Sequence, residues 1–248
     1  MIKILNLTIF SNSNKYNQMY NILNNFYKNY NYKNVYVKTY YYIYNNTIEN
    51  DIEVIDNIIN IKGNETMIPG ILEKTITTLK YFENEINNYD YIIRTNISTI
   101  IDFNLLASEL EKTPISNYGS THTLNLCWLD RPSGIIDNTY FNTTFASGTN
   151  IILSKNGCKL LIDNSHILNK TILDDVSIGI LFKQLNIKCD SFFVDKFIIV
   201  PILNNEDDYK VLMNNNYFVY RNCNGETIDL LQMKNISELL IIKNQTNL

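Results

Sequence analysis

The chain of 248 residues has one tryptophan, two histidines, four prolines, four cysteines and eight glycines. Cys127, Cys158, Cys189 and Cys223 are scattered, without the close pairs of a zinc site or the density of a disulfide scaffold. A reducing, cytoplasmic setting is therefore expected. His122 and His166 read as incidental polar residues rather than ligands. No Gly-x-Gly-x-x-Gly follows the first apolar segment, which excludes a dinucleotide-dependent Rossmann enzyme. No apolar run approaches the ~20 residues of a membrane-spanning helix. Met1 to Phe10 is apolar but lacks a small-residue cleavage site, so neither an anchor nor a secretion signal is expected. Positive charge is also scarce. A net charge of −4 and a pI near 5.3 leave no basic surface to track a polymer of phosphates, which argues against a nucleic-acid partner. A small anionic ligand needs only a few local cations.

What is abundant is asparagine, roughly a sixth of the chain, together with Ile, Tyr and Lys. All four have AT-rich codons, and the composition resembles that of AT-rich giant DNA viruses. Interspersed Ile and Leu argue against Asn-rich disorder. Against this background the only arginines, Arg94, Arg131 and Arg221, mark positions where a planar fork is needed and lysine does not serve, unless drift put them there. With 45% apolar residues, a chain of this length buries one substantial core, and a single domain over 1–248 is expected.

The periodicity predicts alternating strands and helices. Met1 to Phe10 reads as a buried strand, and Tyr16, Met19, Tyr20, Leu23, Phe26 and Tyr27 recur at helical spacing. Val35 to Ile43 is a second strand and Ile52 to Ile61 a third apolar segment; Leu72, Ile76, Leu79, Phe82 and Ile86 share a helical face. Tyr89 to Ile93 is a short apolar run that leads into a polar stretch, and Asp102 is placed to cap a helix carrying Phe103, Leu106 and Leu110. Pro114 to Gly148 lacks periodicity and reads as a functional loop region. Beyond it come a strand at Ile151 to Leu153, a cap at Ser154, a helix capped by Asp174, late strands at 192–194 and 217–220, and a closing helix from Ile228 to Ile242. The fold class is α/β, a mixed, mostly parallel sheet flanked by helices. In such sheets ligands bind at the carboxyl ends of the strands.

Leu72-Glu73-Lys74-Thr75, Arg94-Thr95-Asn96-Ile97-Ser98, Ala146-Ser147-Gly148-Thr149-Asn150 and Asp174-Asp175-Val176-Ser177-Ile178-Gly179, taken in this order, resemble the inverting β1,3-glycosyltransferase superfamily of galactosyltransferases and Fringe enzymes. The resemblance runs from Leu72 to Gly179. It implies an A-type glycosyltransferase fold of two abutting Rossmann-like halves, here 1–112 for the nucleotide-sugar and 113–248 for the acceptor. The implied activity moves a sugar from a nucleotide-sugar, a UDP-sugar by resemblance, to a hydroxyl of a glycan or glycoconjugate, with inversion. A catalytically inactive carbohydrate- or nucleotide-binding module on the same fold is the alternative.

Inversion needs a base in line with attack and positive charge on the leaving diphosphate. Asp175 is the expected base, with Asp174 positioning it or sharing the catalytic work, and the same pair also reads as the N-cap of an ordinary helix. Expected donor-binding residues are Ser11, Lys74, Arg94, Asn96, Ser98 and Arg221. Asn96 and Ser98 stand where the resemblance puts the first and third carboxylates of the motif that holds Mn²⁺ or Mg²⁺, and neither is a strong hard-cation ligand. They form a donor-binding edge or simply a turn. Arg94 meets the donor or sits in a surface ion pair; Arg221, near the place of a metal-ligating His in the Fringe-like enzymes, replaces the metal's charge or is solvated. Should a metal bind nonetheless, Asp102 and Asp190 are the other carboxylates to consider. Trp128, Asp130 and Arg131 combine a stacking platform, a carboxylate and a guanidinium. With Ser147 and Gly148 they form the expected acceptor site, against the reading of Trp128 as a buried anchor.

Overall fold

The computed structural model describes residues 1–191 and 194–246. β1 (Ile2–Ile9) runs into α1 (Asn14–Asn29), which Ser13 caps and which buries Met19, Leu23, Phe26 and Tyr27 at the expected spacing. β2 (Val35–Tyr44) follows. The apolar segment expected as a single strand is instead a hairpin: β3 (Ile52–Ile55) and β4 (Ile58–Ile61) pair antiparallel. Asp56, at φ 55°, accepts the left-handed conformation that short polar side chains tolerate, and so reverses a run that composition reads as continuous.

α2 (Gly70–Tyr81) leads to β5 (Tyr91–Asn96), β6 (Thr99–Ile101) and α3 (Phe103–Lys112). Asp102 caps α3 as expected, accepting from the N–H groups of Asn104 and Leu105. Three short strands punctuate the aperiodic region: β7 (Tyr118–Ser120), β8 (Thr123–Asn125) and β9 (Thr144–Ala146). β10 (Asn150–Ser154) then enters α4 (Lys155–Asp163), with Ser154 as the expected cap. α5 (Asp174–Gln184), β11 (Asp190–Ser191), β12 (Phe197–Ile199), α6 (Glu206–Asn214), β13 (Val219–Arg221) and α7 (Glu226–Thr246) complete the order. Of the strand expected at 192–194, Phe192 and Phe193 lie outside the described residues, and Val194 opens a 3-10 turn, Val194–Lys196.

Eight strands form one sheet in the order β11-β7-β10-β5-β1-β2-β4-β3. β5, β1, β2 and β4 are parallel neighbours, β10 runs antiparallel to β5 and β7, and β3 is an antiparallel edge. This is the mixed, mostly parallel sheet expected. Strand residues alternate between two cores. Ile4, Ile93 and Ile152 pack with α1, α3 and α7, while Leu5, Ile92 and Leu153 pack with α2, α4 and α5. A second sheet, β12-β13-β6, grows from the chain just after β5: β13 lies antiparallel to β6 and places Arg221 opposite Thr99. No helix among the described residues is long and apolar enough to cross a membrane.

Candidate functional site

Parallel β1 and β5 end side by side, with Ile9 opposite Asn96. Beyond their carboxyl ends opens a cavity of about 630 Å³ lined by Ser11, Lys74, Arg94, Asn96, Ser98, Ser147, Gly148, Asp174, Asp175 and Arg221. Segments widely separated in the chain thus meet at the sheet edge where α/β folds bind ligands. Trp128, Asp130 and Arg131 do not line it.

The first wall is the start of α5. Leu173, not Asp174, occupies the N-cap position, and no side chain caps the helix. Asp174 is drawn away because it meets Arg94: Nη2 lies 2.6 Å from Oδ2, with both side chains almost fully buried. The ion pair is therefore internal, not at the surface. In so dry a setting each charge depends on the other, since a lone buried charge is costly. Arg94 Nη1 donates to the carbonyl of Gly148, which also accepts from Asn96 Nδ2 at 3.4 Å. The N–H of the same glycine donates to Asp175 Oδ2 at 2.9 Å. A Cβ on Gly148 would lie 2.8 Å from Arg94 Nη1, so only glycine lets the guanidinium approach this closely.

Asp175 is consequently the carboxylate of this wall without a cation of its own. Its oxygens accept from the N–H groups of Gly148 and Val176, the latter at 2.8 Å. Burial, reinforced by the negative charge of Asp174, pushes its pKa up to about 6 against the partial relief of those bonds. Such a group is ionised at neutral pH yet more basic than an ordinary carboxylate.

The opposite wall carries one cation that no described carboxylate pairs with. Asn96 Oδ1 accepts from Arg221 Nη1 at 2.7 Å, from Thr99 Oγ1 at 2.6 Å and from Ser98 Oγ at 3.3 Å. Arg221 is half-buried rather than solvated and forms no ion pair with a described carboxylate. Burial lowers its pKa from the ordinary arginine value. Lys74 is spent differently. Its buried ammonium donates to the Phe10 carbonyl at 2.8 Å and to both oxygens of Glu65, tying the loop before α2 to the end of β1. Burial lowers its pKa, partly offset by Glu65.

Glu65 and Tyr16 also line the cavity and were not anticipated. Tyr16 reads in the sequence as one more residue of an amphipathic helix, and nothing local marks Glu65, whose partner is nine residues on. The anticipated Trp128 is 40% exposed, which excludes a buried anchor; its ring centroid lies 6.3 Å from that of Phe145. Asp130 accepts from Ser133 Oγ at 2.5 Å and Arg131 is exposed. His122 stacks on Phe197 at 4.3 Å between centroids and His166 is exposed, neither in the cavity.

The family model described as galactosyltransferase matches residues 38–192, more than half of the chain. The chain belongs to the galactosyltransferase family. It is a glycosyltransferase of the hexosyl-transferring kind, and the mixed sheet with its flanking helices is consistent with the A-type fold. Membership implies a nucleotide-sugar donor and a glycan acceptor. Among curated proteins none matches the chain. The span matched to the galactosyltransferase family holds Lys74, Arg94, Asn96, Ser98, Gly148, Asp174 and Asp175, while Ser11 and Arg221 lie outside it. The family-matched core thus carries the acidic wall and Asn96, and flanking segments bring the cation beside it. Among the described residues no group of three His, Cys, Asp or Glu side chains is placed to hold a metal ion.

Proposed function

We propose that this glycosyltransferase transfers a sugar from a nucleotide-sugar, a UDP-sugar in the first instance, to a hydroxyl acceptor with inversion, and that Asp175 is the base. The acceptor oxygen attacks the anomeric carbon as the bond from that carbon to the diphosphate breaks. The electron pair leaves on the phosphate oxygen, and the acceptor's proton passes to Asp175. The observation that carries the reading is the division of labour in the acidic pair: Arg94 neutralises Asp174, leaving Asp175 facing the cavity, held only by backbone N–H groups. Asp174 then acts as a positioning residue, since it fixes Arg94, which holds Gly148 against Asp175. The donor would be bound by Ser11, Asn96, Ser98 and Arg221, with Lys74 and Arg94 bracing that side, and Ser147 and Gly148 would face the acceptor. Residues 1–112 form the donor side and 113–248 the acceptor side, apart from Arg221, which crosses over. The exposed cysteines Cys127 and Cys223 support a reducing compartment.

Asp175→Asn keeps an acceptor oxygen for the cavity wall but removes the base. Turnover should fall by at least the ~10² typical of general base catalysis, with donor affinity nearly unchanged. Turnover equal to the parent enzyme in a nucleoside-diphosphate release assay would reject the assignment.

A further inference from the structure

Resting on the donor site proposed above, we infer that the leaving diphosphate is held without a divalent cation, by the guanidinium of Arg221 fixed on Asn96. The residues at the position of the family's acidic motif do not fit a metal. Asn96 Oδ1 is already occupied by three donors, from Arg221, Thr99 and Ser98. A cation bound there would have to displace them and would lie against a guanidinium of the same sign. An amide and a hydroxyl are weak partners for a hard cation in any case.

The carboxylates within reach are committed elsewhere. Glu65 is paired with Lys74 and Asp174 with Arg94, and Asp175 is held by two N–H groups. Neither of the outlying candidates is in the cavity: Asp102 caps α3 and accepts from the Tyr30 hydroxyl, and Asp190 accepts from the N–H of Ser116.

Positive charge follows the converse pattern. Lys74 and Arg94 are each neutralised by a carboxylate, whereas Arg221 is oriented by an uncharged acceptor, and the pairing of β13 with β6 sets it on a rigid strand end. This explains why asparagine serves at 96: it aims the fork without cancelling its charge, which an aspartate would do. A half-buried guanidinium with no ion-pair partner among the described residues is costly to keep, and a diphosphate, offering paired oxygens to its remaining N–H groups, relieves that cost.

The test is calorimetric titration of the full chain with UDP and with GDP, in EDTA and in Mn²⁺, alongside melting of each ligand-free variant. The wild-type protein should bind one of them with affinities in the two buffers that agree within about twofold. In EDTA, Arg221→Lys should weaken binding by about tenfold or more despite its conserved charge. Asn96→Asp should weaken it comparably without a lower melting temperature, because the new carboxylate pairs with Arg221. Wild-type binding that vanishes in EDTA, or Arg221→Lys and Asn96→Asp variants that bind like the parent, would overturn the inference while leaving the transferase reading intact. Failure of the wild type to bind either nucleotide in both buffers would instead overturn the donor site itself.

Discussion

Two segments of the second half of the chain look equally functional as strings of residues: Ser147-Gly148 with Asp174-Asp175, and Trp128 to Gly134. Folded, they differ completely. The first is assembled where β10 and α5 begin, and its polar groups are engaged across long sequence distances, Arg94 with Asp174 and Gly148 with Asp175. The second closes largely on itself, with Asp130 bound to Ser133 and bridged to Ile135 and one longer tie from the Leu173 N–H to the Ser133 carbonyl, and it leaves Trp128 and Leu129 exposed. Chemistry that needs fixed geometry has settled on the ends of regular elements, which are held by two cores. The loop has mostly local bonds, apart from the Leu173 N–H to Ser133 carbonyl bond that ties it to the start of α5, and its exposed Trp128 carries no such fixed geometry.

The comparison breaks most visibly at Arg94. Arg94→Met keeps much of the side-chain volume but leaves Asp174 buried without its partner, and urea unfolding should show a loss of roughly 3–5 kcal/mol. A loss below about 1 kcal/mol would mean that Asp174 finds water or another donor, and that the wall is no stiffer than the loop.

A second effect comes from pH. The pKa of Asp175 is raised in the folded state to about 6 from an ordinary value of 3.8. Between those two values the folded protein retains a proton that the unfolded chain has lost, so stability falls as pH rises through this window and the penalty is complete above it. Asp175→Asn should therefore stabilise the protein by roughly 1 kcal/mol at pH 7, after allowance for partial solvent screening, and should flatten its stability between pH 4 and about 6. Turnover of the parent should fall as pH drops below about 6. A variant less stable than the parent at pH 7 would show that the carboxylate's bonds to Gly148 and Val176 outweigh its burial.

The smallest effect belongs to the loop. Trp128→Ala should change stability by no more than about 0.5 kcal/mol, as expected for an exposed side chain. If the loop receives the acceptor, the same change should raise KM for the acceptor and leave KM for the donor unmoved; an unaltered acceptor KM would remove the loop from the site.

How much of this was legible in the sequence follows from the range of the forces involved. Helix faces such as Met19-Leu23-Phe26, and caps such as Asp102 and Ser154, are set by contacts within one turn, and they lie where the pattern put them. The hairpin at Asp56 escaped because alternating apolar residues look alike on one strand or two, and only pairing distinguishes them. Asp174 was misread as a cap because the local preference of an aspartate at a helix start lost to a buried guanidinium 80 residues away.

By itself, then, the sequence determined the alternation of strands and helices, the sheet edge at which polar residues gather, and the unusual choice of arginine at 94 and 221. Composition and short-range periodicity carry that much. Only the tertiary structure decided which arginine is neutralised and which stays open. That depends on partners 80 and 125 residues apart in the chain, Asp174 for Arg94 and Asn96 for Arg221. Packing α5 against the sheet buries a carboxylate beside the first, and pairing β13 with β6 offers the second a neutral amide.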